Sequence, residues 1–208
     1  MLSPQAARAD LAAALDRFDE PAAQAILDRV LAAATIDTLL GEVVLPYLRD
    51  LGARWERGEA SVAQEHFASS LLRGRLLGLA RGWGRGIGDL AVLACLPGEA
   101  HDLGLIAFGL ALRSRGWRIV HLGPDAPVET VQDASARLDP SLIVLHAAMP
   151  GRVAPVAGRI RALARRHRLA LSGVAARDPA LAADVALVLT GDPVAEAERV
   201  TGVLAKSD

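Results

Sequence analysis

The sequence predicts two successive units, an N-terminal four-helix bundle and a C-terminal α/β domain of the Rossmann-like (flavodoxin-like) class. Three observations support this. Apolar residues recur at helical spacing up to about residue 80. A glycine-rich stretch then interrupts the pattern, and beyond it short apolar runs alternate with helical segments. That alternation is typical of a parallel sheet covered on both faces. We expect the bundle at residues 1–81, a linker at 82–88 and the α/β domain at 89–208.

Local signals divide the first unit into helices. Ser3 followed by Pro4 is a typical helix start, with a capping hydroxyl before a proline at the first helical position. A break near residues 18–21 separates the first helix from the second, and a break near 35–37 separates the second from the third. Gly58 suits a left-handed stop for the third helix. Ser61 to Gln64 read as a capping box that opens the fourth. Short connections of this kind predict an up-and-down bundle.

The second unit should contain five parallel strands with helices between them. We expect strands near 90–96, 117–122, 141–147, 168–172 and 185–190, and helices near 102–115, 127–137, 152–167, 178–183 and 193–205. Ligands of such sheets bind at the carboxyl ends of the strands. The loops that follow the strands should therefore carry the functional site.

Composition excludes several classes of protein. The chain has 208 residues, 52% of them hydrophobic, and a formal net charge of −1, which fits a packed globular protein and not a disordered one. The arginines form no basic stripe, so we expect no direct contact with nucleic acid. The N-terminus shows no signal peptide and no apolar run spans a membrane, which predicts a cytoplasmic protein with no membrane partner. No nucleotide P-loop, Ser-His-Asp spacing or zinc-type cysteine pair is present, and we expect no enzyme.

The loop after the first predicted strand contains a histidine between two acids. His101 lies between Glu99 and Asp102, and Gly104 follows at the helix start. A neutral imidazole binds a metal through one ring nitrogen when a carboxylate fixes the proton on the other. Either Glu99 or Asp102 could supply that carboxylate. A surface loop with an ordinary polar histidine remains the alternative on these residues alone.

The spacing Glu99-x-His101-x-x-Gly104 resembles the D/E-x-H-x-x-G signature of cobalamin-binding domains. The resemblance implies that His101 is the lower axial ligand of cobalt, in place of the cofactor's own benzimidazole. It also implies that the displaced nucleotide tail lies in a slot of the Rossmann-like domain. The order of bundle, glycine-rich link and five-stranded sheet is similar to the same family over essentially the whole chain.

A second motif resembles the light-sensing branch of that family. Trp55 precedes Glu65-His66 in a W-x(9)-E-H pattern that is similar to the bundle of the CarH and LitR group of cobalamin-dependent light sensors. There these residues cover the upper face of the corrin and enclose the adenosyl group. The phrase that begins at Leu122-Gly123 after the second strand also resembles this group. Without the resemblance, Trp55 would be read as core and Glu65-His66 as a solvated helix face.

The resemblance gives a full set of expected cofactor-binding residues on both units. They are Trp55, Glu56, Val62, Glu65, His66, Glu99, Ala100, His101, Asp102, Leu103, Gly104, Leu122, Gly123, His146, Ala148, Ser172, Gly173 and Val174.

Three positions depart from the family pattern. Glu56 stands where many members have an upper histidine ligand, so a light state with two histidine ligands would need His66 instead. His146 begins a His-Ala-Ala stretch where Ser-x-Leu is usual, and it is either a tail contact or a core histidine. Ser172-Gly173 replaces the usual Gly-Gly, which keeps the position small and adds a hydroxyl.

The resemblance predicts a photoreceptor that binds adenosylcobalamin or hydroxocobalamin base-off with His101 on. Light would cleave the cobalt–carbon bond, shift the bundle against the Rossmann-like domain and change the oligomeric state or a protein partner. Repressors of this group carry an N-terminal winged helix-turn-helix, whereas this sequence starts in the bundle, so we expect a stand-alone sensor or a fragment. A related subgroup, the photocobilins, also binds a bilin, which makes biliverdin a candidate second chromophore.

Two other functions fit the same fold. One is a corrinoid protein that carries methyl groups for a methyltransferase, although Leu105-Ile106 stand where such proteins typically have Lys-Asn after the histidine motif. The other is a cobalamin sensor that does not respond to light.

Overall fold

The computed structural model describes residues 3–205, which form two compact units. The first ends at Ala80 and the second begins at Arg81. We call them the helical unit and the α/β unit.

The helical unit contains helices joined by short turns. They are α1 (Pro4–Asp16), α2 (Glu20–Ala33), α3 (Ile36–Thr38), a π-helical segment (Leu39–Val44), α4 (Leu45–Glu56) and α5 (Val62–Leu79). The expected caps are present: the Ser3 hydroxyl accepts from the N–H of Ala6, and Ser61 and Gln64 make both bonds of a capping box. Gly58 adopts a left-handed φ of 72°, which allows the turn after α4.

The predicted third helix is not a simple α-helix. It continues from α3 through the π-helical segment into α4 without a break in helical backbone. The segment buries Leu39, Leu40, Val43 and Val44 completely and contacts α1 and α2. A π turn holds more residues than an α turn, so it can place four apolar side chains on one inward face. The apolar spacing alone did not reveal this.

Phe18, two residues after the end of α1, adopts a backbone conformation that usually requires glycine. Its φ is 58°, and the N–H of Asp19 reaches the carbonyl of Ala14 as in a Schellman motif. A left-handed phenylalanine is disfavoured. Its ring lies 5.3 Å from the ring of Phe67 on α5, and that contact offsets part of the cost.

The α/β unit is built on five parallel strands in the order β2-β1-β3-β4-β5. They are β1 (Leu90–Cys95), β2 (Arg118–Gly123), β3 (Leu142–Ala147), β4 (Leu169–Gly173) and β5 (Leu187–Leu189). Residues of β1 and β3 are all buried, which explains their unbroken apolar runs. The five-stranded parallel prediction is confirmed.

Helices cover this sheet on both faces. They are α6 (Leu103–Ser114), α7 (Val128–Leu138), α8 (Ala157–Ala164), α9 (Pro179–Ala182) and α10 (Pro193–Leu204). Helix α10 packs on α6, and α7 packs on α8. Helix α8 is shorter than the expected 152–167, because a 3-10 turn (Ala154–Val156) precedes it.

The glycine-rich stretch 82–88 packs against the α/β unit. The carbonyl of Trp83 accepts from the N–H of Ile119, and the carbonyl of Gly88 accepts from Arg118. A Cβ at Gly109 would lie 2.8 Å from Leu93 and 3.1 Å from Trp83, so this glycine lets the indole lie against α6. The stretch expected as a linker is therefore held along the unit's own edge. No helix within residues 3–205 is long and apolar enough to cross a membrane.

Candidate functional site

The loop between β1 and α6 contains one exposed histidine and two buried acids, Glu99 and Asp102. The side chain of His101 is 62% exposed, while that of Glu99 is fully buried. The loop begins where β1, the strand between β2 and β3, ends at the carboxyl edge of the sheet. Such an edge is where ligands of doubly wound folds bind.

The carboxylate of Glu99 accepts four hydrogen bonds. Its Oε1 accepts from the backbone N–H of His101 at 2.8 Å and lies 2.6 Å from Nδ1 of the same histidine. Its Oε2 accepts from the N–H groups of Ala148 and Met149, each at 2.8 Å. Because an ionised carboxylate only accepts, Nδ1 of His101 carries the proton in this pair. Nε2 is then left as the nitrogen with a free lone pair for a metal.

These bonds also set the charge of Glu99. Burial by itself would raise the pKa of this carboxyl. The N–H groups of His101 and Met149 and the His101 ring outweigh burial and hold the pKa of Glu99 below its usual value. Glu99 is therefore an ionised carboxylate at neutral pH, and it orients the ring of His101. Of the two acids that the sequence offered for this role, Glu99 occupies it, while the backbone carbonyl of Asp102 accepts from Ile106 in α6.

Three loops at the carboxyl edge are tied to each other around Glu99. The N–H of Asp125, after β2, donates to the carbonyl of Glu99 at 2.9 Å, and the Asp125 carboxylate accepts from the N–H of Gly98 at 2.7 Å. The third loop, after β3, donates from Ala148 and Met149. The position of His101 is thus fixed from loops that follow three different strands. Such support keeps a ligand in one geometry.

A cavity of about 110 Å³ lies beside this loop within the α/β unit. Its walls are mainly apolar side chains and glycines: Gly104, Leu105, Phe108, His146, Ser172, Gly173, Leu189, Gly191, Pro193 and Glu196. Nδ1 of His146 lies 2.9 Å from Oγ of Ser172 on the neighbouring strand. Burial lowers the pKa of His146, partly opposed by Glu99 and Asp102, so its ring is neutral at pH 7.

Gly173 keeps this cavity open. It has a φ of 69°, and a Cβ there would lie 2.4 Å from the carbonyl oxygen of Ala147 and 2.8 Å from the ring of His146. Only glycine fits at such distances. The expected small pair Ser172-Gly173 thus combines a hydroxyl partner for His146 with an unobstructed wall.

In the helical unit, the expected residues lie around the turn between α4 and α5. Trp55 and Val62 are 50% and 56% exposed, unusually open for large apolar side chains. Glu65 lies 2.6 Å from Nδ1 of His66 through one carboxylate oxygen and accepts from the hydroxyl of Ser69 at 2.7 Å through the other. The half-exposed indole departs from a core tryptophan, which was the alternative reading of the sequence.

The remaining expected residues occupy loops or element ends. Glu56 ends α4 and is exposed, Ala100 is exposed beside His101, and Leu103 begins α6. Leu122 and Gly123 end β2, where Gly123 has a φ of 88°, and Val174 follows β4 with 38% exposure.

Sequence reasoning missed the cavity wall that comes from β5 and α10. Glu196 is buried, accepts from the N–H of Gly191 at 2.8 Å and pairs with Arg199 at 2.7 Å. Pro193 and Phe108 also line the cavity. The sequence offered no distinct signal for this wall, because a glutamate in the first turn of a helix is common and its burial becomes visible only in the fold.

Comparisons with known proteins support cobalamin binding. Residues 7–77, about a third of the chain, match the family model described as a B12 binding domain. The HTH-type transcriptional repressor CarH of Myxococcus xanthus is 39% identical over 138 residues, which cover 66% of this chain and 46% of CarH. The repressor CarA of the same organism is 33% identical over 121 residues, covering 58% and 40%. The chain therefore spans less than half the length of these relatives.

A solved structure shows the fold. The monomethylamine corrinoid protein of Methanosarcina barkeri superimposes with a TM-score of 0.77 at 18% identity, over 96% of this chain and 98% of that protein. The chain thus has a helical N-terminal region followed by a five-stranded Rossmann-like domain, in an arrangement of elements shared with a corrinoid protein.

Proposed function

We propose that this chain binds cobalamin with His101 as the lower axial ligand of cobalt and acts as a light sensor. One observation carries the proposal: the buried carboxylate of Glu99 holds Nδ1 of an exposed imidazole and leaves Nε2 for a metal. A ligating histidine generally donates its second N–H to such a partner. The similarity to CarH supports the light-sensing part.

The residues present fit this cofactor. Gly104 and Gly173 leave the backbone bare beside His101 and the cavity, and Gly173 cannot be replaced without a clash. We propose that the cavity lined by His146 and Ser172 receives the displaced nucleotide tail and excludes water from it. Glu99 orients the imidazole and keeps its proton on Nδ1.

We propose that the upper ligand is adenosyl and that Trp55, Glu65 and His66 contact it. A half-exposed indole offers a flat apolar surface, and the Glu65–His66 pair offers hydrogen-bonding groups. When bound, adenosylcobalamin would supply a cobalt–carbon bond that light cleaves. The signal would be a change in association state, and no catalytic residue is needed for it.

The first experiment is an absorption spectrum of the purified chain reconstituted with adenosylcobalamin in the dark, recorded before and after green light. A bound base-off spectrum that changes on illumination, together with a changed mass by light scattering, is the expected result. Parallel samples with biliverdin and red light test for a second chromophore. A bound spectrum that ignores light would refute the sensor role and favour a carrier, which methyl transfer to a thiol with a partner enzyme would then establish.

Two variants assign the ligand. His101→Ala should lose the base-off spectrum and bind cobalamin much more weakly, because no imidazole remains on this loop. His167→Ala removes a histidine next to β4, away from the carboxyl edge, and should bind as the wild type does. Equal binding by wild type and His101→Ala would overturn the assignment of His101.

A further inference from the structure

One end of the helical unit brings together the end of α1, the end of α4 and the start of α5. Asp16 ends α1, Arg54 lies in the last turn of α4, and Gln64 lies in the first turn of α5. These ends adjoin the residues proposed to face the upper ligand. What fixes the three ends to each other therefore bears on that site.

Arg54 makes hydrogen bonds through both its side chain and its backbone carbonyl. Its Nη2 donates to Oδ2 of Asp16 at 3.0 Å, and the two side chains are only 20% and 32% exposed. Its backbone carbonyl accepts from the N–H groups of Glu59 and Ala60, at 2.8 and 3.3 Å. The side chain thus anchors α4 to α1, while the carbonyl closes the turn that follows Trp55.

Gln64 joins the same point from the other helix. Its Oε1 accepts from the N–H of Ser61 at 2.9 Å in the capping box, and its Nε2 donates to the carbonyl of Asp16 at 3.2 Å. Asp16 therefore bonds to α4 through its carboxylate and to α5 through its carbonyl. Residues on the first turn of α5, including Glu65 and His66, are held relative to α1 by this bond.

Tyr47, which is buried close to Arg54, shows how Arg54 balances the negative charge of the surrounding carboxylates. Tyr47 is 1% exposed, and the carboxylates of Asp16, Asp50 and Glu65 are near enough to act on it electrostatically. Burial first, and then these carboxylates, raise the pKa of Tyr47, whereas Arg54 lowers it. Arg54 thus compensates a group of acids in a partly buried place, where an unpaired charge is costly.

We propose that Asp16 and Arg54 are positioning residues that hold Trp55 in register with Glu65 and His66, and thereby set the preference for a cofactor with a bulky upper ligand. The inference rests on the proposed function for the identity of that ligand. The pair touches no cofactor itself. It fixes the two helix ends that carry the contacting side chains.

The test compares Asp16→Asn and Arg54→Gln with the wild type in two measurements. The first is the affinity for adenosylcobalamin and for hydroxocobalamin, by absorption titration in the dark. Each variant should bind adenosylcobalamin about tenfold more weakly, because misplaced contact groups lose their interaction, and hydroxocobalamin as before. The second is the indole N–H resonance of Trp55 in the cofactor-free chain, assigned with Trp55→Phe, which should shift in both variants.

The matched control is the neighbouring pair of Arg57 and Glu59. It has the same chemistry at 2.7 Å, with both side chains 54% exposed, in the same turn. Arg57→Gln should leave both measurements unchanged. An unmoved Trp55 resonance in Asp16→Asn would overturn the proposal whatever the cofactor does, and so would an equal loss of affinity for both cobalamins. If the wild type binds neither cobalamin, the proposed function fails, and the resonance alone decides whether the pair positions Trp55.

Discussion

At the scale of single residues, the carboxylate of Glu99, paired with His101, has the largest predicted effect on the free energy of unfolding. A carboxylate that is fully buried is costly unless every lone pair is used, and here four donors surround it. The same carboxylate orders the loop after β3 and selects the tautomer of His101. The Glu99 side chain therefore both stabilises the loops at the carboxyl edge and keeps His101 in the tautomer that can bind a metal.

Replacing the Glu99 carboxylate by an amide should lower the free energy of unfolding. Glu99→Gln places an NH2 group against donors on one side or the other, so at least one pair of N–H groups loses its acceptor. A fully buried unsatisfied group costs about 1–3 kcal/mol, and because these hydrogen bonds are only partly buried we expect the pair together to cost about 1–3 kcal/mol by urea denaturation. The control is Glu129→Gln, which removes an exposed partner of Arg159 and should change the free energy of unfolding by less than about 0.5 kcal/mol. A loss no larger than the control's would contradict this account of Glu99.

His146 should make the stability depend on pH. Because burial lowers its pKa from the ordinary 6.5, the folded chain binds this proton less readily than the unfolded chain does. Its contribution is complete above pH 6.5 and is lost as pH falls from there through the folded pKa. Wild type should therefore lose stability more steeply than His146→Gln below pH 6.5, in urea unfolding at successive pH values. The two curves should run parallel above that pH, and parallel curves throughout would rule this origin out.

At the scale of elements, the cap of α5 connects helix stability to the upper-ligand residues. Ser61 and Gln64 satisfy the first turn, which contains Glu65. Sequence patterns found this cap, the Gly58 stop and the strand positions to within about two residues, because each depends on near neighbours or on continuous burial. They did not find the π-helical segment, whose cause is the packing of α1 and α2 against it.

Loss of that cap should be measurable. Ser61→Ala leaves the N–H of Gln64 in the first turn of α5 without its acceptor and should cost about 1 kcal/mol. Amide exchange should accelerate locally at Gln64 and Glu65. Ser70→Ala, an exposed change inside the same helix, should be neutral or slightly stabilising, because alanine is the better helix former. Similar losses in the two variants would mean that the cap is unimportant.

At the scale of the whole molecule, cofactor binding should appear as added stability. A ligand that binds only the folded chain at a hundred times its Kd stabilises by about 2.7 kcal/mol. We therefore expect adenosylcobalamin in that excess to raise Tm in differential scanning calorimetry. His101→Ala should lose most of that rise at the same cofactor concentration. An equal rise in Tm for His101→Ala would mean that residues other than His101 supply the binding energy.

The two-unit organisation and the histidine loop were readable from sequence, whereas the connections that complete the site were not. Two of the four donors for Glu99 lie 49 and 50 residues away along the chain, at Ala148 and Met149. Glu196 reaches the cavity only because β5 and α10 return to its wall. Neither contact produces a pattern in the sequence, because a backbone N–H donor is the same whatever residue carries it.

The single cysteine has a practical consequence for measuring motion. Cys95 is the last residue of β1 and is completely buried, so its thiol should resist labelling reagents in the folded chain. An introduced cysteine at an exposed position outside the proposed cofactor site, such as Ser70→Cys or Leu138→Cys, would then react alone without removing the native one. A doubly labelled chain carrying two spin labels would report the distance between its helical and α/β units in darkness and in light, without reference to the colour of any cofactor.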